Sequence, residues 1–540
     1  MTVVPTWFDQ YDPGVAETLS ISGQTGLTLF DDSRSRCRQA PAIHFRDATT
    51  SWDEVDEAGR RFAGWLGRQG VGGGDRVGIW LQNVPEFIVA MVGIWRAGCV
   101  VVPLNPMLRP KEIHHQLVDS GVRVLVAETP LVADVGSAAI QQQTAVQRIV
   151  TVDSDPAAPG RPPEGSTPWV AIVESGDSPA GIEALAPGPD DPAFLVYTSG
   201  TTGVPKAAIN THANVAYNAQ VFRAWMHLGP GDVVLGGAPL FHVTGLIGGI
   251  CAAHAAGVPL VLFYRFRPET CLSQIERWRA TFTVLPSTAI RALLDCPALA
   301  TADIACLTKL YSGGAPIPTK LAAEWRTVTG LRLHSIYGLT ETTSPSHAAP
   351  LGRAVPVDEE SGLLSAGVPV PGVDARVVGP DGVDVPDGEL GEIWMKGPMV
   401  VPGYWHKPDD TAVTFVDGYL KSGDVGKRDA LGWFYVVDRI KDMINASGFK
   451  VWPREVEETL LGHPAIAEAA VVGVPDSYRG ETVKAFVCLR AGAHTTPEEI
   501  VVWARDHMAA YKYPRMVEVV TELPKTASGK VLRRELRTPH

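Results

Sequence analysis

Seven cysteines are scattered through 540 residues, and the nearest two are Cys296 and Cys306. No C-x-x-C occurs, and no cluster has metal-ligand spacing. A disulfide scaffold and a zinc module are therefore excluded, and free thiols in a reducing compartment are expected. Positive charge is also in deficit: 47 Lys and Arg stand against 59 Asp and Glu, a formal charge of −12. A nucleic-acid binder is usually basic, so that class is set aside. An anionic substrate held in a locally positive cleft is not. Repeats and low-complexity tracts are absent. The opening MTVVPTWFDQYDPG lacks a basic region followed by an apolar run, and RTPH is no peroxisomal signal, so a cytoplasmic location is expected. Charge is missing altogether from Val233 to Tyr264. That length would serve a membrane span. Pro239, Pro259, His242, His254 and several glycines interrupt it, so a buried helix followed by a buried strand is expected, with peripheral membrane contact left open.

What is present is enough chain for several domains. RVGIWLQN reads as a strand, PEFIVAMVGIWRAG as a helix opened by proline and closed by glycine, and CVVVPLN as a second strand. Unbroken apolar strands joined through a helix predict a parallel sheet covered on both faces. The pattern returns in TFTVLPS with the helix AIRALLDC, in KLYSGGAPIP and in LRLHSIYGLTE. Chemistry in such sheets gathers at the carboxyl ends of the strands. From about residue 351 short strands alternate with Gly, Pro and Asp turns, which predicts an antiparallel β-rich module to 437. A compact unit over 438–540 follows, with helices PREVEETLLG and TPEEIVVWARDHMAAY around the strand pair AEAAVVGVPD and ETVKAFVCL. The predicted fold class is α/β: a large N-terminal domain (1–437) of layered α/β subdomains plus a small antiparallel β-barrel module, and a small mobile C-terminal α+β domain.

The loop YTSGTTGVPK, at 197–206, follows the strand FLVYT. It is not a Walker A loop, which needs Gly directly before Lys; Val204 and Pro205 separate Gly203 from Lys206. It still has the parts of a phosphate grip. Gly200 and Gly203 let backbone N–H groups approach an anion, Thr198, Ser199, Thr201 and Thr202 add hydroxyls, and Lys206 adds a point charge.

This loop resembles the signature of the adenylate-forming enzymes: acyl-CoA synthetases, luciferases and the adenylation domains of peptide synthetases. The resemblance continues in order through PLFHVTG (239–245), SGGAP (312–316), YGLTE (337–341), YLKSGD (419–424), DRIKD (438–442), SGFKVWPREVE (447–457) and PKTASGK (524–530). It implies activation of a carboxylate by ATP to an acyl-adenylate, with release of pyrophosphate, and then transfer to a thiol with release of AMP. Two anions must meet, so cations are needed to bring them together.

The resemblance further implies roles for residues. The loop 198–206 would cover the β and γ phosphates, Thr340 would touch phosphate, and Glu341 would hold Mg²⁺. Tyr337 would stack on adenine, opposite Gly314, Ala315 and Pro316. Asp424 would take the ribose diol, and Arg439 the ribose or phosphate. Lys530 would bridge the acyl carboxylate and the α-phosphate, a task suited to a point charge on a flexible stem. The C-terminal domain would rotate about a hinge at 438–442, with Lys441 at the pivot. Ser447, Gly448 and Lys450 would then line the thiol side. Tyr511, Lys512 and Arg515 would contact CoA phosphates, although YKYPR equally suits an ordinary exposed turn.

Amino-acid-activating relatives carry an aspartate where this chain has His242, so an acid without an α-ammonium is implied. His242 would lie beside the reacting carboxylate, next to Phe241. Beyond it Gly245, Gly248, Gly249, Ala252 and Ala253 recur at helical spacing, a face that either admits a close helix or leaves room for an alkyl chain. The overall pattern resembles that of medium- and long-chain fatty acyl-CoA synthetases. Aryl, short and carnitine-like acids stay open. CoA is the expected acceptor, with transfer to a carrier protein as the alternative. Luciferase-type oxidation is disfavoured because Asn445 stands where that chemistry has a lysine. A non-catalytic nucleotide or acyl binder on the same fold is the reading of another class. Oligomeric state is not legible, and a homodimer stays open.

Overall fold

A computed structural model of the chain describes residues 5–154, 160–174, 186–198, 204–359, 361–446, 449–476, 480–526 and 530–537. Strand Arg76–Trp80 lies parallel to both Val100–Pro103 and Val122–Glu128 at the centre of a seven-stranded sheet among the described residues. Its four residues Val77 to Trp80 are buried, as is all of Val100–Pro103. Beyond the half-buried Arg76 these strands are apolar, as expected where helices cover both faces. The crossover helix Pro85–Arg96 begins with proline at its first position, where the missing N–H costs nothing. It crosses helix Trp52–Arg68 at paired glycines: a Cβ on Gly93 would stand 2.7 Å from the Gly59 carbonyl oxygen.

A second sheet, of nine described strands, carries Phe282–Leu285, Lys309–Ser312 and His334–Tyr337 as parallel neighbours. Their carboxyl ends run into the loops that hold SGGAP and YGLTE. The uncharged stretch forms strand Val234–Leu235, a helical segment Thr244–Cys251 continuing through Ala252–Ala256, and strand Leu260–Leu262. Helix followed by buried strand is therefore what the chain adopts there, and no helix of the described residues is long and apolar enough to cross a membrane. The winding differs from expectation. Thr244–Cys251 is π-helical, so its residues do not fall on the face that spacings of three and four define in an α-helix.

Strands Asp374–Val378, Gly391–Lys396, Phe415–Val416, Tyr419–Arg428 and Phe434–Arg439 make an antiparallel sheet of half-barrel form. A short 3₁₀ turn, Ile440–Asp442, leads from it into the terminal sheet. There Ile466–Asp476 and Gly480–Leu489 pair antiparallel, and Met516–Val519 joins in parallel. Helices Pro453–Leu461 and Pro497–His507 bury Val456, Leu460, Ile500 and Ala504 against Ile444, Val471, Val483 and Val487, a core of their own. The fold is α/β, with a large N-terminal part and a small C-terminal one.

Candidate active site

A cleft of about 1020 Å³ opens at the strand ends between the large part and the terminal body. From the large part, Thr198, Val204, Pro205, Phe241, His242, Gly314, Ala315, Pro316, Tyr337, Thr340, Asp424 and Arg439 line it. From the terminal body, Lys525, Thr526, Lys530, Leu532 and Arg533 do so. Residues drawn from seven separate motifs thus share one space.

The nucleotide side is built by two sheets. Gly314, at φ +79°, turns the chain after Lys309–Ser312, a conformation that glycine takes without strain. A Cβ on Gly313 would meet the Ile336 carbonyl oxygen at 2.5 Å, so this turn lies flat over strand His334–Tyr337. At the end of that strand the Tyr337 hydroxyl donates to Asp424 Oδ2 at 2.8 Å. Asp424 sits opposite Arg439 in the antiparallel sheet, and Arg439 Nε lies 3.1 Å from Asp424 Oδ1. Burial, with Asp424 beside it, pushes the Tyr337 hydroxyl's pKa well above its usual range, so it stays a donor. Both Asp424 oxygens are engaged, yet each retains a lone pair for a diol.

His242 ends the turn that follows strand Val234–Leu235. Buried Asn83 fixes that turn, its Oδ1 accepting the Leu240 N–H at 2.9 Å and its Nδ2 donating to the Ala238 carbonyl at 3.1 Å. The Thr244 backbone N–H, at 3.3 Å, donates to His242 Nδ1. A backbone N–H can only donate, so Nε2 carries the ring hydrogen. Burial, and after it the charge of Lys530, lowers the His242 pKa to about 4, so the ring is neutral.

Lys530 is tied to Thr526 by two hydrogen bonds, Thr526 N–H to Lys530 O at 2.7 Å and Lys530 N–H to Thr526 Oγ1 at 3.1 Å. Burial lowers its pKa to about 8; Arg439, Lys441 and Arg533 push the same way, and Asp424 opposes them. An ammonium lowered this far has given up water for a site that other cations share, and incoming phosphates would restore its charge.

Other expected residues are not in that lining or lie outside the described residues. Ser199, Gly200, Thr201, Thr202 and Gly203, together with Ser447 and Gly448, lie outside the described residues. The two ends of the first of these loops are tied by Thr198 N–H to Lys206 O at 2.8 Å. The Lys206 ammonium pairs with Asp410 and lies 5.6 Å from the Tyr404 ring centroid, so it must leave Asp410 to meet a phosphate. Glu341 sits behind Thr340, its Oε1 accepting from the Tyr404 hydroxyl at 2.7 Å. That leaves Oε2 for a metal, and one carboxylate plus phosphate oxygens is a donor set Mg²⁺ accepts. No three His, Cys, Asp or Glu of the described residues gather into a cage of their own.

Gly245 and Gly248 make room for protein. A Cβ on Gly245 would stand 2.1 Å from the Pro239 oxygen, and one on Gly248 2.8 Å from the Phe222 ring. Gly249 is buried, yet a Cβ there would meet nothing within 4 Å. On the terminal body, Tyr511 stacks on Phe449 at 4.7 Å, Lys512 pairs with Glu455, and Arg515 lies 3.8 Å from the Tyr513 ring centroid. Lys450 shares that body, and none of these residues lines the cleft. Lys441 lies in the 3₁₀ turn. Sequence reasoning passed over Asn83 and Tyr404, which orient motif residues from distant segments and carry no local signal.

Comparison with known proteins agrees with this geometry. The profile of the AMP-binding enzyme family matches residues 30–405, and that of the AMP-binding enzyme C-terminal domain matches residues 455–530. A long-chain-fatty-acid–CoA ligase of Bacillus subtilis (strain 168) is 34% identical, covering 98% of this chain and 97% of its own. A feruloyl-CoA synthase of an Amycolatopsis species is 37% identical, covering 93% and 97%. A crystal structure of an anthranilate CoA ligase with anthranoyl-AMP superposes with a TM-score of 0.86 at 27% identity, covering 96% and 97%. The chain belongs to the AMP-binding enzyme family of adenylate-forming proteins. Within that family it is an AMP-forming acid–CoA ligase.

Proposed function

We propose that this ligase activates an apolar acid of medium- or long-chain fatty type in the cytoplasm, and that Lys530 and a rotation of the terminal body divide the reaction into two halves. A carboxylate oxygen attacks the α-phosphorus of ATP, the bond to the β-phosphate oxygen breaks, and pyrophosphate leaves. The sulfur of CoA then attacks the acyl carbon, the thiol proton is released, and AMP departs. The observation that carries this reading is the meeting of Lys530, from the terminal body, with His242, Asp424 and Arg439 in one cleft. Lys530 offsets the repulsion between carboxylate and phosphate. His242, neutral, offers a hydrogen-bond donor without drawing in an ammonium. Asp424 and Arg439 orient the ribose, and Tyr337 faces adenine across from Gly314 to Pro316. Glu341 would hold Mg²⁺ against the phosphates, which supplies charge neutralisation. For the second half the terminal body turns about 438–442 and brings Ser447, Gly448 and Lys450 to the thiol, with Tyr511, Lys512 and Arg515 as candidate contacts for CoA phosphates.

Support for an alkyl tail comes from the uncharged, buried segment after His242 and from the open space at Gly249. Two observations favour a second reading, a planar aryl acid: the feruloyl-CoA synthase likeness, and the occupation of the Gly245 and Gly248 flanks by protein. Each buried methylene is worth about 0.8 kcal/mol, so the two readings separate in a chain-length series. Acid-dependent pyrophosphate exchange should rise steadily with alkyl length under the first and peak with cinnamate- or benzoate-type acids under the second. CoA-dependent release of AMP from the best acid completes the test. ADP and phosphate as products would sink both.

A further inference from the structure

Three carboxylates converge on one arginine just behind Lys530. Arg533 opens the helix Arg533–Arg537, three residues beyond the cleft lysine. Its Nη1 lies 3.0 Å from Asp438 Oδ1 and 3.4 Å from Asp442 Oδ2, and its Nη2 lies 2.9 and 3.0 Å from the two Glu457 oxygens. Asp438, Asp442 and Glu457 keep only 4%, 12% and 10% of their side-chain surface.

The members of this cluster lie on opposite sides of Lys441, in the 3₁₀ turn. Asp438 is in the last strand of the antiparallel sheet, immediately before cleft residue Arg439. Asp442, Glu457 and Arg533 lie beyond Lys441 and belong to the terminal body. Arg537 pairs with Asp442 at 2.9 Å on that same side. In a rotation about 438–442 the pairs with Glu457 and Asp442 travel together. The pair with Asp438 does not, and neither does the hydrogen bond from the Arg454 N–H to Asp438 Oδ2, at 2.9 Å.

We propose that Arg533 and Asp438 form a latch that seats Lys530 for the first half-reaction and opens for the second. The arrangement suits release as well as grip. A buried charge that loses its sole partner is costly, but Arg533 keeps two carboxylates when Asp438 is withdrawn. Asp438 stays beside the Arg439 N–H, which donates to its Oδ1 at 2.8 Å. The three carboxylates also offset the charge of Arg533, a cation close to Lys530. Both residues position the lysine and touch no reacting atom.

The inference rests on the proposal that Lys530 serves only adenylation, and the test keeps the two apart. Asp438→Asn, Arg533→Lys, Glu457→Gln and Lys530→Ala are assayed in the intact protein for acid-dependent pyrophosphate exchange and for thioester formation from supplied acyl-adenylate. Asp438→Asn and Arg533→Lys should lower exchange about tenfold or more, on the scale of a broken buried pair, and leave thioester formation equal or faster. Glu457→Gln removes a pair that never opens, so it should move both half-reactions together. If either latch variant fails to fold, the other carries the comparison. Equal losses in both halves, or no loss in either, overturn the latch. If Lys530→Ala splits the halves and the latch variants do not, the latch alone fails. If Lys530→Ala does not split them, the reading beneath it fails as well.

Discussion

Lys530 and His242 face the same cleft and answer to pH in opposite ways. The lysine must be charged to draw two anions together, and its pKa is lowered by burial to about 8. In the free enzyme its charge is complete below that value and is lost as pH rises through it. The kcat/KM for pyrophosphate exchange should therefore fall above pH 8 along a one-proton limb. At saturating ATP the phosphates favour the ammonium, so the limb in kcat should lie at higher pH. Lys530→Ala should cost exchange about a hundredfold or more, and it should abolish the limb. His242, lowered to about 4 by burial and by Lys530, stays neutral across the working range. It should contribute no limb near pH 6, and a His242→Gln profile should keep the parent's shape. Asp424, Arg439 and Lys530 were legible in sequence because each stands inside a contiguous motif. Asp438 and Arg533, which touch at 3.0 Å, were not: a contact between segments 95 residues apart leaves no periodicity to read.

At the scale of elements, the parallel strands declared themselves through unbroken apolar runs, and the helix Pro85–Arg96 through its proline and glycine. The segment Thr244–Cys251 did not. Its composition gave burial and its small residues gave a face, but spacing does not show the π winding, nor that Gly245 fits beneath the Pro239 carbonyl. Two substitutions read that fit. Gly245→Ala places a methyl carbon against backbone and should destabilise by about 2 kcal/mol or more, visible as a lowered Tm. Gly249→Leu enters open space, so the Tm should hold while exchange with the longest accepted acids falls and shorter acids are spared. Equal loss for every acid would take Gly249 out of the acid pocket.

The molecule as a whole places its site between two bodies with separate cores. The terminal body fills one side of the cleft while Lys530 is seated, so on the proposed reading CoA would not approach from the side that the lysine holds. Pyrophosphate should then depart before CoA adds. Initial rates against ATP at several fixed CoA concentrations should give parallel lines in double-reciprocal form, and intersecting lines would require both bodies to serve the thiol at once. Two-body organisation was legible from the change of texture at DRIKD. The seating of one body on the other was not, because it depends on contacts such as Thr319 N–H to Glu458 Oε1, at 2.9 Å.

The seating of Lys530, tied to Thr526 by two hydrogen bonds, has a consequence for fidelity. A mixed anhydride is open to hydrolysis as well as to thiolysis, and exclusion of water is what preserves it. On the proposed rotation, the element that delivers the ammonium would also be the shutter over the fresh anhydride, and it would have to swing away before sulfur could arrive. Every turnover would then include an interval of exposure. AMP formed in excess of thioester measures that interval, and the leak should grow as CoA becomes scarce.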